Sequence, residues 1–485
     1  MWQAARKRYA PSSTPKAMVS PPPSVNSPAA NRGALGVSIL VLSPHRLSEF
    51  KEKQVCEHDG IICGMNRRRL IFRLCATTAF VMAVFAALCV ARTRCGVALP
   101  AYVDMALNEP EIKSIPLGTD ELAALRWLDY VTGSLPKTEE VEWWGSASER
   151  QFGLFARRYN IAFAGYAAAA LGMRGNAAEK ATVGRILGNC IERMLRRDVW
   201  AYSQSKNYWG AKPWAPDPCY RENVMYTGHL LQLLALYECF TGDRRYWEKG
   251  FDFVWKDGRH VHYDVKRLID VTVDQMRTNP SGGITCEPNL LFFPCNNHPH
   301  IALSLFSKLG YGDWTTDALR WEQWAVKHFF SPVFGGGAFN IVQQVKSGIM
   351  YPRGHNGLDA WSLLWYEPWA TDRRTAIVLW KECARRIDWE MLSKEPDSRM
   401  MCASCCDPAN VPPITIVSFL AAAARACGDA KTAMRLEHIA DQSLVRKGGM
   451  LYFDVGREWR IGATANRIIA LAIANGSTFR AFLRH

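Results

Sequence analysis

The stretch Met225-Tyr226-Thr227-Gly228-His229-Leu230-Leu231-Gln232-Leu233-Leu234-Ala235-Leu236 sets Met225, His229, Leu233 and Leu236 on one face at helical spacing. The same period recurs on either side. Leu122, Leu125, Leu128 and Val131 keep it upstream. Phe155, Tyr159, Phe163 and Tyr166 form an aromatic stripe at three- to four-residue steps. Further helical stretches are predicted near 298–310, 315–329, 358–366, 371–386, 412–427 and 430–443. Connections rich in Gly, Pro and Asn separate them, among them Pro332-Val333-Phe334-Gly335-Gly336-Gly337 and Tyr351-Pro352-Arg353-Gly354. Short alternating strands are expected near 338–350 and 449–455. Helix after helix with aromatic-rich loops predicts an all-α fold. The expected architecture is an α/α toroid, a barrel of helical hairpins, with a few short β-hairpins. Inner helices and their loops would line one funnel-shaped site. The 18 Trp and 16 Tyr suit a deep pocket, and they suit bulky helix packing as well.

A second stretch carries chemistry. Gly283-Ile284-Thr285-Cys286-Glu287-Pro288-Asn289 is followed by Phe293-Pro294-Cys295-Asn296-Asn297, with apolar Leu290, Leu291, Phe292 and Phe293 between. Two thiols, an acid and several amides thus share a largely apolar segment, the composition of a dry reactive site. The spacing does not fit a Cys-x-x-Cys redox pair or a zinc knuckle. The alternative is a pair of buried structural cysteines. Cys402, Cys405 and Cys406 also cluster, but no second ligand pair lies nearby, so no metal site is expected.

Charge and composition narrow the class. The chain has 485 residues, 48% of them hydrophobic, enough for one large or two ordinary domains. Its net charge of +14 is concentrated at the start. Residues 1–94 hold 14 Lys and Arg against 4 Asp and Glu, and the remaining 391 hold 45 against 41. The body therefore has no basic stripe for a nucleic-acid backbone. Residues 1–64, with Ser20-Pro21-Pro22-Pro23-Ser24, have the composition of a disordered or mis-called extension, with Met65 as an alternative start. Arg67, Arg68, Arg69 and Arg73 then precede an uncharged run from Leu74 to Ala91. A basic start before an apolar core defines residues 65–97 as a signal peptide or signal anchor. That order exports the body, residues 98–485, or anchors it on the far side of a membrane. The 15 cysteines are scattered and assign no disulfide.

At this point several blocks resemble one family. Arg221-Glu222-Asn223-Val224-Met225-Tyr226-Thr227-Gly228-His229-Leu230, running on to Thr241-Gly242-Asp243, is similar to linalool dehydratase/isomerase. Asn279-Pro280-Ser281-Gly282-Gly283-Ile284-Thr285-Cys286-Glu287-Pro288, with Cys295-Asn296, is similar too. Arg158-Tyr159-Asn160-Ile161-Ala162-Phe163 and the shorter Leu128-Asp129-Tyr130 add to it, so the resemblance spans about residues 117–370. It implies an α/α barrel, no cofactor, and a homo-oligomer with sites at subunit interfaces. Its activity is the dehydration of a tertiary monoterpene alcohol with isomerisation of the allylic alcohol. The catalytic positions it implies are Asp129, Tyr159, His229, Cys286 and Cys295, with Met225 lining the pocket. Glu287 joins Met225 as a substrate-binding candidate, or else holds backbone amides of its own loop. The sequence departs from the family where Leu135 and Gly357 replace tyrosines, and in an added polar stretch, Asp257-Gly258-Arg259-His260-Val261-His262-Tyr263.

Dehydration needs an acid at the leaving hydroxyl and a base at a neighbouring C–H in a water-poor pocket. His229 can donate or accept a proton near neutrality. Asp129 would suit a base if buried without a partner, and is otherwise a solvated helix acid. Cys286 and Cys295 would bind the hydroxyl or pass a proton, or one would be a thiolate nucleophile activated by His229. Tyr159 would position the hydroxyl or be one rung of the stripe. His298, His300 and His355 are extra candidates, although a loop histidine is usually just solvated. The expected function is a cofactor-free hydro-lyase or isomerase acting on a small apolar alcohol. The alternatives are a carbohydrate-active enzyme, which needs facing carboxylates or a histidine pair, and a binding protein that has lost the chemistry.

Overall fold

The structure, a computed structural model, describes residues 67–94, 109–144, 156–201, 217–255, 257–330, 338–350, 356–387, 389–392 and 413–484. The chain divides into two units, Met1–Ile71 and Phe72–His485, and the account below concerns the second. Among the described residues, the helices longer than one or two turns are α1 (Arg67–Arg94), α2 (Thr119–Asp129), α3 (Arg157–Gly172), α4 (Ala177–Met194) and α5 (Val224–Thr241). They continue as α6 (Val265–Thr278), α7 (Phe293–Lys308), α8 (Thr315–His328), α9 (Asn356–Tyr366), α10 (Arg373–Arg385), α11 (Pro413–Ala426), α12 (Ala430–Asp441) and α13 (Arg457–Ala474).

Six of these close a ring. Helix α3 packs on α5, α5 on α7, α7 on α9, α9 on α11, α11 on α13, and α13 returns to α3. Between successive ring members the chain passes through an outer helix: α4, α6, α8, α10 and α12 in turn, with α2 covering α3, α4 and α13. This is the α/α toroid expected from the sequence. The division into inner and outer rings follows from side chains. Every residue of α3 is buried, as are the first fifteen of α5, so these helices have no face for solvent. The outer helices bury one stripe only: Val183, Ile186, Leu187, Cys190 and Ile191 in α4, and Leu268, Ile269, Thr272, Val273 and Met276 in α6.

Three small sheets join the helices. Strands β1 (Phe251–Val254) and β2 (His260–Tyr263) form an antiparallel hairpin from the added polar stretch. Strands β3 (Thr285–Glu287), β4 (Leu290–Phe292) and β5 (Val342–Gln344) form the second sheet, with a bulge between Thr285 and Glu287. Strands β6 (Leu444–Lys447) and β7 (Met450–Phe453) form the third. The sequence located β5 and β7 but not the β3–β4 hairpin, whose three-residue strands are too short for a period to show.

The uncharged run is helical within α1, and its described side chains, residues 72–87, are exposed. Among the described residues no helix is long and apolar enough to cross a membrane, so a membrane-spanning helix is not observed there. The side chains of residues 88–91, the Cys402, Cys405 and Cys406 cluster, and His355 lie outside the described residues.

One buried ion pair ties the ring to its outer layer. Arg174, just past α3, pairs with Glu121 of α2, and both are buried. Arg174 also donates to the Ile115 carbonyl at 2.8 Å and the Ser477 hydroxyl at 3.2 Å. Removing one member leaves a buried charge without a partner. Arg174→Met is therefore expected to lower stability by about 3 kcal/mol in urea unfolding. A loss near zero would mean that water reaches the pair.

Candidate active site

Helix α5 starts from an uncommon backbone. Glu222 and Asn223 both have left-handed conformations, with φ of 55° and 60°, ahead of Val224. Asn223 is held there by two bonds: its amide donates to the Pro218 carbonyl at 2.9 Å, and its N–H to the Cys286 carbonyl at 3.2 Å. The second bond sets the β3 strand against the start of α5. Asn296 completes the frame. Its side chain accepts from Ile284 N–H at 2.7 Å and donates to the Ile284 and Phe292 carbonyls at 2.9 and 2.8 Å. Cys286 on β3 and Cys295 in the first turn of α7 are thereby brought together, with their Sγ atoms 3.5 Å apart. Both are buried, and both are free thiols.

His229 lies two turns into α5 and is buried. The adjacent Gly228 explains how α7 comes so near: a Cβ there would sit 2.9 Å from Pro299 Cδ and 3.4 Å from His298 Cβ. The rings of His229 and His298 lie with centroids 3.8 Å apart, tilted by 38°. His229 Nδ1 is bonded to the Tyr166 hydroxyl at 2.8 Å, and His298 Nδ1 to Gln232 Oε1 at 2.7 Å. Aromatic rings surround the pair. Tyr159 meets His229 edge-on at 5.3 Å, Tyr166 stacks on both imidazoles, and Trp361 packs on Tyr159 at 5.3 Å. His298 is three residues beyond Cys295, so one thiol and one imidazole share a face of α7.

One cation enters this region. Arg158 of α3 is buried, lies 4.7 Å over the Tyr159 ring, and donates to Met225 Sδ at 3.4 Å. Burial pushes the basicity of His229 well below the ordinary histidine range, and the Arg158 charge adds to that. Burial does the same to His298, with His229 contributing. Burial raises the Cys286 thiol well above its usual range, reinforced by its bond to Cys295. Glu287 is half-buried, and desolvation raises its pKa against the opposing pull of Arg158. Near neutrality the Cys286 thiol and the two imidazoles are therefore uncharged.

Tyr159, Met225, His229, Cys286, Cys295 and Glu287 are thus gathered around Arg158. Asp129 is not among them. It ends α2, is half-exposed, and forms a two-point ion pair with Arg185 at 3.0 and 2.9 Å. His229 makes no hydrogen bond to either thiol among the described residues, and burial disfavours the Cys286 thiolate. His298 and His300, read as loop histidines, lie inside α7 and are buried. The helix begins at Phe293 because Pro294 occupies its first turn, where its missing N–H costs nothing. The three-residue step from Cys295 to His298 was the available signal. Arg158, Tyr166 and Gln232 also escaped the sequence reading as site residues. Leu135 and Gly357 are buried and bring no hydroxyl; the phenol at His229 comes from Tyr166.

The fold and site define a helical toroid with a thiol–imidazole centre. Residues 158–459 match the model of the linalool dehydratase/isomerase family, and the chain belongs to that family. The match starts after Asp129 and extends well past residue 370, so the likeness reaches further toward the C-terminus than the motifs indicated. Among solved structures, an unsaturated glucuronyl hydrolase specific for heparin is similar with a TM-score of 0.43 and 11% identity, over 72% of this chain and 96% of that one. An inactive variant of the alpha-1,6-mannanase GH76A of Salegentibacter sp. HEL1_6, in complex with alpha-1,6-mannotetrose, is similar with a TM-score of 0.39 and 9% identity. That match covers 73% of this chain and 99% of the other.

The buried imidazoles make stability depend on pH. His300, packed on Trp369, is lowered by burial to about 3, in the same direction as His229 and His298. Once unfolded, each takes up a proton near its usual pKa of about 6.5. The unfolded state then binds more protons than the folded one, so stability falls as pH drops below that value. The urea midpoint is expected to decrease from about pH 7 to about pH 5, with a shallower slope in His300→Phe. A midpoint independent of pH across that window would contradict the burial of these rings.

Proposed function

We propose that the chain is a hydro-lyase/isomerase that removes water from a small, largely apolar alcohol, such as a tertiary or allylic terpenoid, by acid–base chemistry. The observation that carries this reading is the contact between two buried thiols in the region of two neutral imidazoles and their aromatic surround. The Cys286–Cys295 pair hands a proton to the departing hydroxyl, which leaves as water. Glu287 takes a proton from the neighbouring carbon, and the C–O and C–H electron pairs leave a double bond. Glu287 then returns its proton to the thiolate. Tyr159 and Met225 contact the apolar body of the substrate. Re-addition of water at the other end of an allylic system would give isomerisation. The aromatic rings suit positive charge developing in that step.

The experiment is gas chromatography of anaerobic incubations with linalool, geraniol and simpler tertiary allylic alcohols. The parent is expected to form diene or isomer. Cys286→Ala and His229→Gln should lose activity by about 10²- to 10⁴-fold. A folded protein that turns over none of these alcohols would sink the assignment.

Asp129 supports a second element of the proposal. It faces outward in the single chain, although the resemblance implies that it serves a site. A homo-oligomer whose neighbouring copy supplies Asp129 reconciles the two. The Arg-rich segment and uncharged run over residues 65–97 support export of the body. Sedimentation should find an oligomer. A mixture of Asp129→Asn and Cys286→Ala, each impaired alone, should recover activity after exchange of subunits, and fractionation should place the body outside the cytoplasm. A monomer, or no recovery, would remove Asp129 from the site.

A further inference from the structure

The paired histidines contain an unused bonding capacity. Each Nδ1 is occupied, by Tyr166 for His229 and by Gln232 for His298. Each Nε2 is buried with no hydrogen-bond partner among the described residues. Other buried side-chain atoms also lack a partner, both ring nitrogens of His300 among them, but these two belong to imidazoles in contact with each other. Their partners also fix which nitrogen carries hydrogen. Gln232 Oε1 only accepts, so His298 holds its proton on Nδ1 and leaves Nε2 as a bare acceptor. The Tyr166 hydroxyl has His229 as its one hydrogen-bond partner among the described residues, and burial keeps that phenol protonated. It donates to His229 Nδ1, which leaves the proton of His229 on Nε2. The two free positions are thus one donor and one acceptor. They belong to two rings in contact, with centres 3.8 Å apart.

We propose that His229 and His298 together bind the substrate hydroxyl: His229 Nε2–H donates to its oxygen, and His298 Nε2 accepts its hydrogen. This rests on the alcohol-lyase reading and adds to it a residue, His298, and a substrate rule. The rule is that a free O–H is required, so an ether of the same carbon skeleton is refused. The second lone pair of the oxygen stays open to a thiol, and Cys295 shares a face of α7 with His298. The pair does not serve as two bases on opposite sides of a carbon, because rings with centres 3.8 Å apart leave no room for one between them. His298 is a specificity-determining residue, fixed by Gln232.

The test compares calorimetric binding of linalool with that of its methyl ether to the full-length protein. The parent should prefer the alcohol by about 10- to 100-fold, the effect of leaving a buried acceptor unmatched. His298→Phe, which keeps a ring at the contact, should bring the ratio close to one. Nitrogen-15 spectra of histidine-labelled parent protein provide a readout that requires no variant. They should show His229 protonated on Nε2 and His298 on Nδ1. A preference unchanged in His298→Phe, equal affinities in the parent, or a His298 protonated on Nε2 would overturn the proposal. Turnover of linalool, followed in parallel, reports on the lyase reading separately. Conversion with no preference for the alcohol keeps that reading and removes this one. Binding preference without conversion does the reverse.

Discussion

The chemistry of this molecule depends on one close approach. Helices α5 and α7 meet where Gly228 has no side chain, and the backbone of His298 and Pro299 occupies the space. Without that gap the two helices would separate by about the width of a methyl group. The imidazoles would lose their stacking, and the first turn of α7, which carries Cys295, would move away from β3. A packing constraint in the inner ring is therefore also the constraint that assembles the site.

Burial then decides the electrical character. Desolvation is the largest influence on His229, His298 and Cys286, and it drives each toward its neutral form. The Arg158 charge persists among them because a guanidinium does not give up its proton at any ordinary pH. It sits on the Tyr159 ring and beside Met225, where the attraction of a ring face for a cation offsets part of the cost of burial. A neutral set of proton donors and acceptors suits an uncharged substrate. It would disfavour an anion except close to Arg158.

Helical periodicity was legible because inner and outer helices repeat over many turns. The predicted stretches at 315–329, 371–386 and 430–443 fall within a few residues of α8, α10 and α12. The cysteine frame was legible through its composition, and the Met225–His229 block through its spacing. Asp129 was not. Its position on a helix says nothing about which neighbour it faces, and the structure gives it Arg185. His298 had no warrant as a site residue for a related reason: its partners Gln232 and His229 lie on another helix far away in the chain.

The residues alone thus determined that the chain would form paired helices around a core, and which segment would carry thiols. Both follow from local spacing and composition. Tertiary structure alone decided that Tyr166 and Gln232 would cap the two imidazoles. It likewise decided that Asn223 and Asn296 would draw Cys286 against Cys295, and that Arg158 would lie among them. These pairs are brought together by closure of a ring from helices far apart in the chain. Which faces meet is fixed by packing between helices, and no property of one segment encodes it.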